Sequence, residues 1–387
     1  MFLRQTVKRN RQLVETAFWL HRRGDILPDS YVIDMDILLE NAGNILDAAR
    51  REQVMLFFML KQLGRNPYIA RELLHLGYEG AVPVDFRETL VMQRAGVPIG
   101  NVGHLVQLPD AQIEKTVAYG PRFITVYSLE KMEKINAAAK ALGVRQQVLL
   151  RVHQEGDEVY SGQTAGFSLE GMARMLEIAK SRLEHLEIRG ITSFPCYLYD
   201  KRKEDIAATH NLRTVMAASE ILKEAGIAAP VVNTPSTTCV HTIQKMSIQG
   251  GNCGEPGHGL TGTTPMHAEK ELEEKPAVAY VSEISHNFQG KAFCYGGGYY
   301  RRSHVRYVLV GKTLEGARKL GVYPPSAESI DYHFEIPQEC QVGAAAVMAF
   351  RFQIFVTRSD VVLVKGIQTG NPRIIGIYDS LGNERPE

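Results

Sequence analysis

The chain lacks long apolar segments and a strong charge of either sign. None of its 387 residues lies in a run of the roughly 20 apolar residues that a membrane-spanning helix needs, and no signal-peptide pattern opens the sequence. We therefore expect a cytoplasmic protein with no membrane partner. The formal net charge is only +1, and the short basic groups at 8–11 and 201–203 lie among polar residues. We therefore expect no nucleic-acid partner.

Cysteine patterns that would hold a metal or a disulfide framework are missing. The five cysteines form no CxxC pair and are odd in number, so free thiols are expected. Cys239 and His241 are two residues apart, but two ligands alone make no zinc site. We predict no catalytic metal.

What the chain does contain is a regular alternation of strand-like and helix-like segments. Helical patterns such as 169–182 and 212–225 separate short apolar runs at 54–60, 80–84, 99–102, 123–126, 148–152, 188–192, 231–233 and, more weakly, 247–251. Eight such units predict an α/β protein built on a (β/α)8 barrel, with the active site at the carboxyl ends of the strands. A doubly wound open sheet is the alternative, but no GxGxxG follows an early strand.

Beyond about residue 265 the pattern changes. The segment 266–276 is rich in Glu and Lys, and β-rich runs follow at 277–284, 305–310, 345–355, 361–364 and 374–378. These runs predict a second, C-terminal β-rich domain. We assign 1–30 to an N-terminal helical segment, 31–265 to the barrel and 266–387 to the β domain, with pairing of 31–36 to the β domain as an alternative.

Lys61 stands at the end of the first apolar run. Burial disfavours the charged form of a lysine, and this is the condition under which its amine can hold a carbonyl compound as a Schiff base. The alternative is a lysine that buries its stem and keeps its amine in water.

Two loops near the last predicted strands suit a phosphate. The segments 233–238 and 250–259 combine hydroxyl side chains with glycines, and loops after strands seven and eight of such barrels commonly bind phosphate. Small residues that merely permit tight turns are the alternative. A ligand with one phosphate and one aldehyde would satisfy both these loops and Lys61, and pyridoxal 5′-phosphate (PLP) is the candidate.

Several segments together resemble the fold-type III PLP-dependent enzymes, of which alanine racemases are the best known. The matching segments are 59–61, 77–85 with Glu88, 233–238, 255–257 and 294–302. The sequence most resembles the YhfX-like group of alanine-racemase-like proteins, over about residues 30 to 380. The resemblance implies a PLP barrel with a β domain, an amino-acid substrate, and a homodimer whose active sites are shared between subunits.

The resemblance also implies roles for individual residues. Lys61 would hold the cofactor and act as one base at Cα, and Tyr295, contributed by the other subunit, would act on the opposite face, as racemisation requires. The alternative for Tyr295 is a turn residue in a glycine-rich hairpin. Cofactor contacts would come from Lys61, Ser236, Thr237, Glu255, Gly257 and His258.

Departures from the racemase pattern keep the reaction open. Alanine racemases have an arginine where Glu255 stands, and a carboxylate there would stabilise a protonated pyridine nitrogen. Glu-Pro-Gly is the pattern of the fold-type III decarboxylases. In those enzymes an arginine follows this pattern, whereas this chain has His258 at that position. The racemase Arg-Leu-Gly-Phe is Thr-Ala-Gly-Phe at 164–167, and the expected aspartate and histidine are Gly297 and Ser193. The His-x-Cys of the metal-dependent relatives is absent.

The sequence therefore predicts a PLP-dependent, racemase-like isomerase that labilises a bond at Cα of an amino acid. The alternatives are an amino-acid lyase or decarboxylase that uses Glu255-supported quinonoid chemistry, and a PLP carrier or regulator without turnover. The β domain carrying Tyr295 favours an enzyme.

Overall fold

The computed structural model describes residues 2–228 and 230–386, which divide into two compact units. The barrel unit comprises Ile45–Leu60 and Pro67–Gly257, and the β unit comprises Met1–Asn44, Lys61–Asn66 and His258–Glu387. Among the described residues, no helix has both the length and the apolar composition to cross a membrane.

The described helices and strands follow one another along the whole chain. The α-helices are α1 (Phe2–Arg9), α2 (Arg11–Arg23), α3 (Met35–Arg51), α4 (Pro67–Leu76), α5 (Phe86–Arg94), α6 (Asp110–Tyr119), α7 (Leu129–Ala141), α8 (Leu169–Arg182), α9 (His210–Glu224) and α10 (Val240–Ile248). The strands are β1 (Ser30–Asp34), β2 (Met55–Leu56), β3 (Asn101–Val102), β4 (Phe123–Val126), β5 (Gln146–Arg151), β6 (Leu186–Thr192), β7 (Tyr197–Asp200), β8 (Asp205–Ala208), β9 (Val231–Asn233), β10 (Cys253–Gly254), β11 (Val278–Phe288), β12 (Lys291–Tyr295), β13 (Tyr307–Gly311), β14 (Arg318–Gly321), β15 (His333–Ile336), β16 (Ala345–Met348), β17 (Asp360–Lys365) and β18 (Arg373–Asp379).

The barrel unit is a closed ring of parallel strands. Pairing runs in the order β2-β10-β9-β6-β5-β4-β3, and two single bridges, Phe58 with Ala81 and Ala81 with Ile99, complete the ring. Ala81 thus occupies the eighth strand position, and the predicted (β/α)8 fold is confirmed. Residues of several strands pack into one apolar cluster: Phe57, Met59, Val82, Phe123, Leu149, Val231 and Cys253.

One predicted barrel strand was wrong. The run 247–251 is the end of α10 and the turn after it, and the last strand is the two-residue β10. The buried residues of α10 include Ile243 and Met246, whose spacing of three is that of a helix face. A two-residue strand such as β10 is too short to show a period of its own.

The β unit is organised around a mixed sheet. Strand β1 pairs antiparallel with β11 and parallel with β17, so residues close to the N-terminus share a sheet with the C-terminal strands. Helix α2 packs on this sheet through an apolar face that includes Leu13, Ala17 and Phe18. Its first turn is capped by Asn10, whose side chain accepts a hydrogen bond from Leu13 N at 3.2 Å.

Three strands of the β unit had no counterpart in the sequence pattern: β12, β14 and β15. The predicted run 345–355 forms a strand only as far as Met348 and later enters a short 3₁₀ helix, Ile354–Val356. Strand β12 pairs with β11 and β15, and it carries Tyr295 as its last residue.

Candidate active site

A buried carboxylate lies at the carboxyl end of the barrel's last strand. Glu255 follows β10 directly and is 6% exposed. Its Oε1 accepts hydrogen bonds from Asn233 Nδ2 at 2.8 Å and from Asn101 Nδ2 at 3.1 Å, and its backbone N–H donates to Thr238 Oγ1 at 3.3 Å. Two donors on one oxygen stabilise negative charge there.

Neighbouring hydroxyls fix the two asparagine amides. Thr125 Oγ1 donates to Asn101 Oδ1 at 2.8 Å, so the amide nitrogen of Asn101 is the group left to face Glu255. The amide nitrogen of Asn233 also donates to Thr192 Oγ1 at 3.2 Å. Asn101 was missed at the sequence level, although a polar residue in the apolar run 99–102 was a usable signal.

His104 is a second residue that the sequence did not point to. Its Nε2 lies 3.6 Å from Glu255 Oε2, and both side chains are about 1% exposed. The edge of its ring packs against Phe194, with ring centroids 5.8 Å apart. Ser193, where the racemase pattern has histidine, precedes Phe194, so His104 brings an imidazole to the same part of the barrel mouth from the loop after β3.

The loop between β9 and α10 has an unusual backbone. Ser236 and Thr237 have φ values of 101° and 47°, a left-handed conformation that is costly for such residues and that clusters at ligand clamps. Thr237 is held on both sides, since its Oγ1 donates to Tyr197 O at 3.2 Å and its carbonyl accepts from Thr242 Oγ1 at 2.7 Å. The loop ends at the N-terminus of α10, where backbone N–H groups favour an anion.

The barrel residues fit PLP. A buried carboxylate suits a protonated ring nitrogen, and a strained loop at a helix N-terminus suits a phosphate. Within the part of the chain that the structure describes, Asn233 Oδ1 and Thr234 Oγ1 are buried without a hydrogen-bond partner, as expected beside a site for a polar ligand. Gly257 is buried and is the last residue of the barrel unit.

Lys61 and His258 belong to the β unit. Lys61 begins a 3₁₀ helix, Lys61–Leu63, directly after the first barrel segment and is half-buried. The Nδ1 atom of His258 lies 2.9 Å from Thr263 Oγ1, and its Nε2 lies 3.3 Å from Gln353 Nε2. Burial, followed by the positive charges of Arg351 and Lys61, holds the pKa of His258 well below its usual value of 6.5, so this imidazole is neutral.

Tyr295 has a different set of neighbours in the β unit. It ends β12 opposite His333 in β15, with ring centroids 5.8 Å apart. Its carbonyl accepts from Ser282 Oγ at 2.7 Å and from Tyr280 Oη at 3.3 Å. Its main chain is therefore held in a sheet, and three glycines follow it. Arg301, which is close in sequence, is exposed and donates to Ala327 O at 3.3 Å.

Each unit thus gathers part of the predicted set. The barrel unit holds Ser236, Thr237, Glu255 and Gly257, all near the carboxyl ends of β9 and β10. The β unit holds Lys61, His258 and Tyr295, and Lys61 is near enough to His258 for its charge to lower the pKa of that imidazole.

Metal ligands do not cluster in the described chain. In residues 2–228 and 230–386 no group of three His, Cys, Asp or Glu side chains could hold a metal ion. The five cysteines are buried thiols. Cys239 Sγ lies 3.1 Å from Thr242 Oγ1, and His241 Nε2 lies 2.7 Å from Asp205 Oδ1, so these two residues have separate partners.

Comparison with known proteins gave matches to both parts of the chain. Residues 33–265 match the family model described as alanine racemase, N-terminal domain, and residues 279–374 match the one described as YhfX-like, C-terminal domain. The Escherichia coli (strain K12) protein named "Uncharacterized protein YhfX" is 43% identical over 385 residues, which cover 99% of each chain.

Solved structures show the same fold at low identity. The D-threonine aldolase from Filomicrobium marinum has a TM-score of 0.67 and 15% identity, over 92% of this chain and 95% of that one. The alanine racemase from Clostridium difficile 630 has a TM-score of 0.64 and 19% identity, over 92% of this chain and 99% of that one. These similarities support the fold rather than a particular reaction.

Proposed function

The chain belongs to the alanine racemase family defined by that N-terminal domain, whose fold-type III members use PLP, and on this basis we propose that it is a PLP-dependent enzyme that labilises a bond at Cα of an amino acid. The resemblance drawn from the motifs is confirmed by the two family models and by the YhfX relative. The reaction and the residue roles given below are our proposal.

The residues that would hold PLP are those that the resemblance to the family implies. Glu255 would pair with the pyridine nitrogen, Ser236 and Thr237 with Gly257 would bind the phosphate, and Lys61 would hold the aldehyde carbon as a Schiff base. His258, which is neutral beside Lys61, would border the cofactor without adding charge. When bound, PLP supplies an electron sink for negative charge that develops at Cα.

Proton transfer is assigned to two side chains. Lys61 Nζ would move a proton on one face of Cα, and Tyr295 Oη, contributed by the partner in a homodimer, would move it on the other face. The position of Tyr295 supports this role, because its main chain is anchored in β12 while its ring lies against His333. Burial and His286 lower the pKa of His333, so a neutral imidazole borders the phenol.

The observation that carries the proposal is the Glu255 network. Two fixed amides hold a buried carboxylate at the barrel mouth, an arrangement that suits pairing with a cationic group such as a protonated pyridine nitrogen. The same observation supports the second candidate, an amino-acid lyase or decarboxylase, because a carboxylate at the ring nitrogen strengthens the electron sink. A PLP carrier or regulator would need no base on the second face of Cα.

One experiment separates these functions. Wild-type protein saturated with PLP is incubated with D- and L-amino acids in deuterated water, and the Cα proton and the products are followed by ¹H NMR. We expect Cα exchange with both enantiomers. Amine or keto-acid products would favour the decarboxylase or lyase, and unchanged substrates across the set would favour the carrier.

Lys61 is tested directly. Borohydride reduction should fix the cofactor mass to the peptide that contains Lys61, and Lys61→Ala should abolish visible cofactor absorbance. The exposed Lys223, which pairs with Glu220 on α9, provides the matched control Lys223→Ala. Cofactor mass on another lysine would contradict the assignment.

A further inference from the structure

A buried arginine lies at the barrel mouth, and the proposed function leaves it without a role. Arg151 is the last residue of β5 and is 3% exposed. Its Nη1 donates to Tyr127 Oη at 2.9 Å and to His104 O at 3.3 Å, and its Nη2 donates to Gln163 O at 2.8 Å. All three acceptors are uncharged oxygens.

The guanidinium retains unused donors. A guanidinium carries five N–H groups, and the three hydrogen bonds of Arg151 leave about two of them. One is Nε–H, which is buried and has no hydrogen-bond partner among the described residues. The other is on Nη2, the nitrogen that shares an edge with Nε. This edge has the geometry that binds a carboxylate through two parallel hydrogen bonds.

The positive charge of Arg151 also has no carboxylate directly paired with it among the described residues. Across residues 2–228 and 230–386, Arg151 forms no ion pair, and its guanidinium instead lies 4.9 Å from the ring centroid of Tyr127. Buried charges are normally paired, because removing an ion from water is costly. An anionic ligand would supply the missing partner.

Arg151 shares the barrel mouth with the cofactor residues. His104 links the two groups, since its carbonyl accepts from Arg151 while its ring lies 3.6 Å from Glu255 Oε2. The loop after β5 folds back onto Arg151: Phe167 N donates to its carbonyl at 2.8 Å, and a Cβ on Gly166 would lie 2.7 Å from that oxygen. The main chain of this loop therefore runs directly against the main chain of Arg151.

We propose that Arg151 binds the α-carboxylate of the amino-acid substrate. A guanidinium edge binds carboxylates and phosphates alike, but the phosphate is already assigned to the loop between β9 and α10, which leaves a carboxylate as the anion for Arg151. The identity of the substrate rests on the proposed function, whereas the anion site itself rests on the contacts of Arg151 alone. The negative charge of Glu255 would then face the pyridine nitrogen of PLP, and the positive charge of Arg151 would face the carboxylate of the substrate.

The test uses Arg151→Gln and Arg151→Lys with Arg189→Gln as the matched control. Arg189 is also on a barrel strand, but it is half-exposed and pairs with Glu187 at 3.3 Å. In the first arm, thermal shifts of cofactor-free protein are measured with propionate and with propionamide. Propionate should stabilise the wild type and R189Q but not R151Q, and propionamide should stabilise none of them.

The second arm uses PLP-loaded protein. Absorbance titrations should show that R151Q binds alanine about 10- to 100-fold more weakly, the range expected for lost hydrogen bonds to a charged group. Alaninamide, which has no carboxylate, should bind R151Q and wild type equally. R151K keeps the charge but not the fork and should lose about tenfold; it decides the question if R151Q fails to fold.

Two results would overturn the inference: propionate that stabilises R151Q as much as wild type, or an equal loss of alanine and alaninamide binding. The first arm needs no cofactor. A failure of the proposed function, seen as wild type that does not bind PLP, is therefore distinguishable from a failure of the carboxylate site.

Discussion

Replacing Glu255 by glutamine and by alanine separates the charge of this carboxylate from its shape. Glutamine keeps an oxygen that can accept from both Asn101 and Asn233. A hydrogen bond to a charged acceptor contributes about 1.5–3 kcal/mol and one to a neutral acceptor about 0.5–1.5 kcal/mol, so the two bonds together lose about 2 kcal/mol. Relief from burying a charge offsets much of this loss. We expect Glu255→Gln to change the free energy of unfolding by about 1 kcal/mol or less.

Alanine has a larger effect because it leaves both amide donors buried and unpaired. Each unpaired donor costs about 1–3 kcal/mol, so Glu255→Ala should lower the free energy of unfolding by about 2–6 kcal/mol. Urea denaturation of the cofactor-free proteins, followed by circular dichroism, measures both changes. The ordering of the two variants is the structural prediction, and it does not depend on the cofactor.

The functional prediction concerns the lost charge. If Glu255 pairs with a protonated pyridine nitrogen, Glu255→Gln exchanges a charge-assisted bond for a neutral one, and the affinity for PLP should fall about tenfold. Absorbance titration with PLP measures this change. Glu274→Gln is the control, because Glu274 is a buried carboxylate of the β unit, 3.2 Å from His267 Nε2. It should alter stability but not PLP affinity.

Two outcomes would refute this reasoning. Glu255→Gln that binds PLP with wild-type affinity would remove Glu255 from the ring nitrogen. Glu255→Ala that is as stable as Glu255→Gln would show that the asparagine network does not depend on its acceptor.

Three further predictions follow from the structure. Hybrid dimers of Lys61→Ala and Tyr295→Phe subunits should regain interconversion of the two enantiomers if Tyr295 acts on its partner's site, since one of the two sites then has both bases. Hybrids that do not interconvert them would exclude shared sites. The lowered pKa of His258 means that the unfolded chain takes up a proton below about pH 6.5 while the folded protein does not. The melting temperature should therefore decrease as the pH is lowered through that value, and it should decrease less in His258→Gln. Equal pH profiles for the two proteins would contradict this. A Cβ on Gly190 would lie 1.9 Å from Val231 O, so Gly190→Ala should lower the free energy of unfolding by about 1–3 kcal/mol or more. Gly43→Ala in α3 is the control, because beyond its chain neighbours and its own helix backbone no atom lies within 4 Å of the added Cβ, and it should raise the free energy of unfolding by about 0.5–1 kcal/mol. A stable Gly190→Ala would refute the close strand approach.

The sequence determined the barrel because burial leaves a direct mark on composition. Parallel strands covered on both faces are continuous apolar runs, and the predicted runs 123–126 and 231–233 coincide with β4 and β9. Helix α8 likewise has the predicted bounds, Leu169–Arg182. The motifs around Lys61 and Glu255 were enough to identify the family.

Only the tertiary structure decided which polar side chains meet. Asn101 and Glu255 are 154 residues apart, and they meet because the ring closes through single bridges at Ala81 that no period in the sequence reveals. His104 and Arg151 come from loop and strand ends whose neighbours depend on strand register. A pattern of apolar residues reports which positions are buried, but the partners of a buried polar group are set by the closure of the barrel.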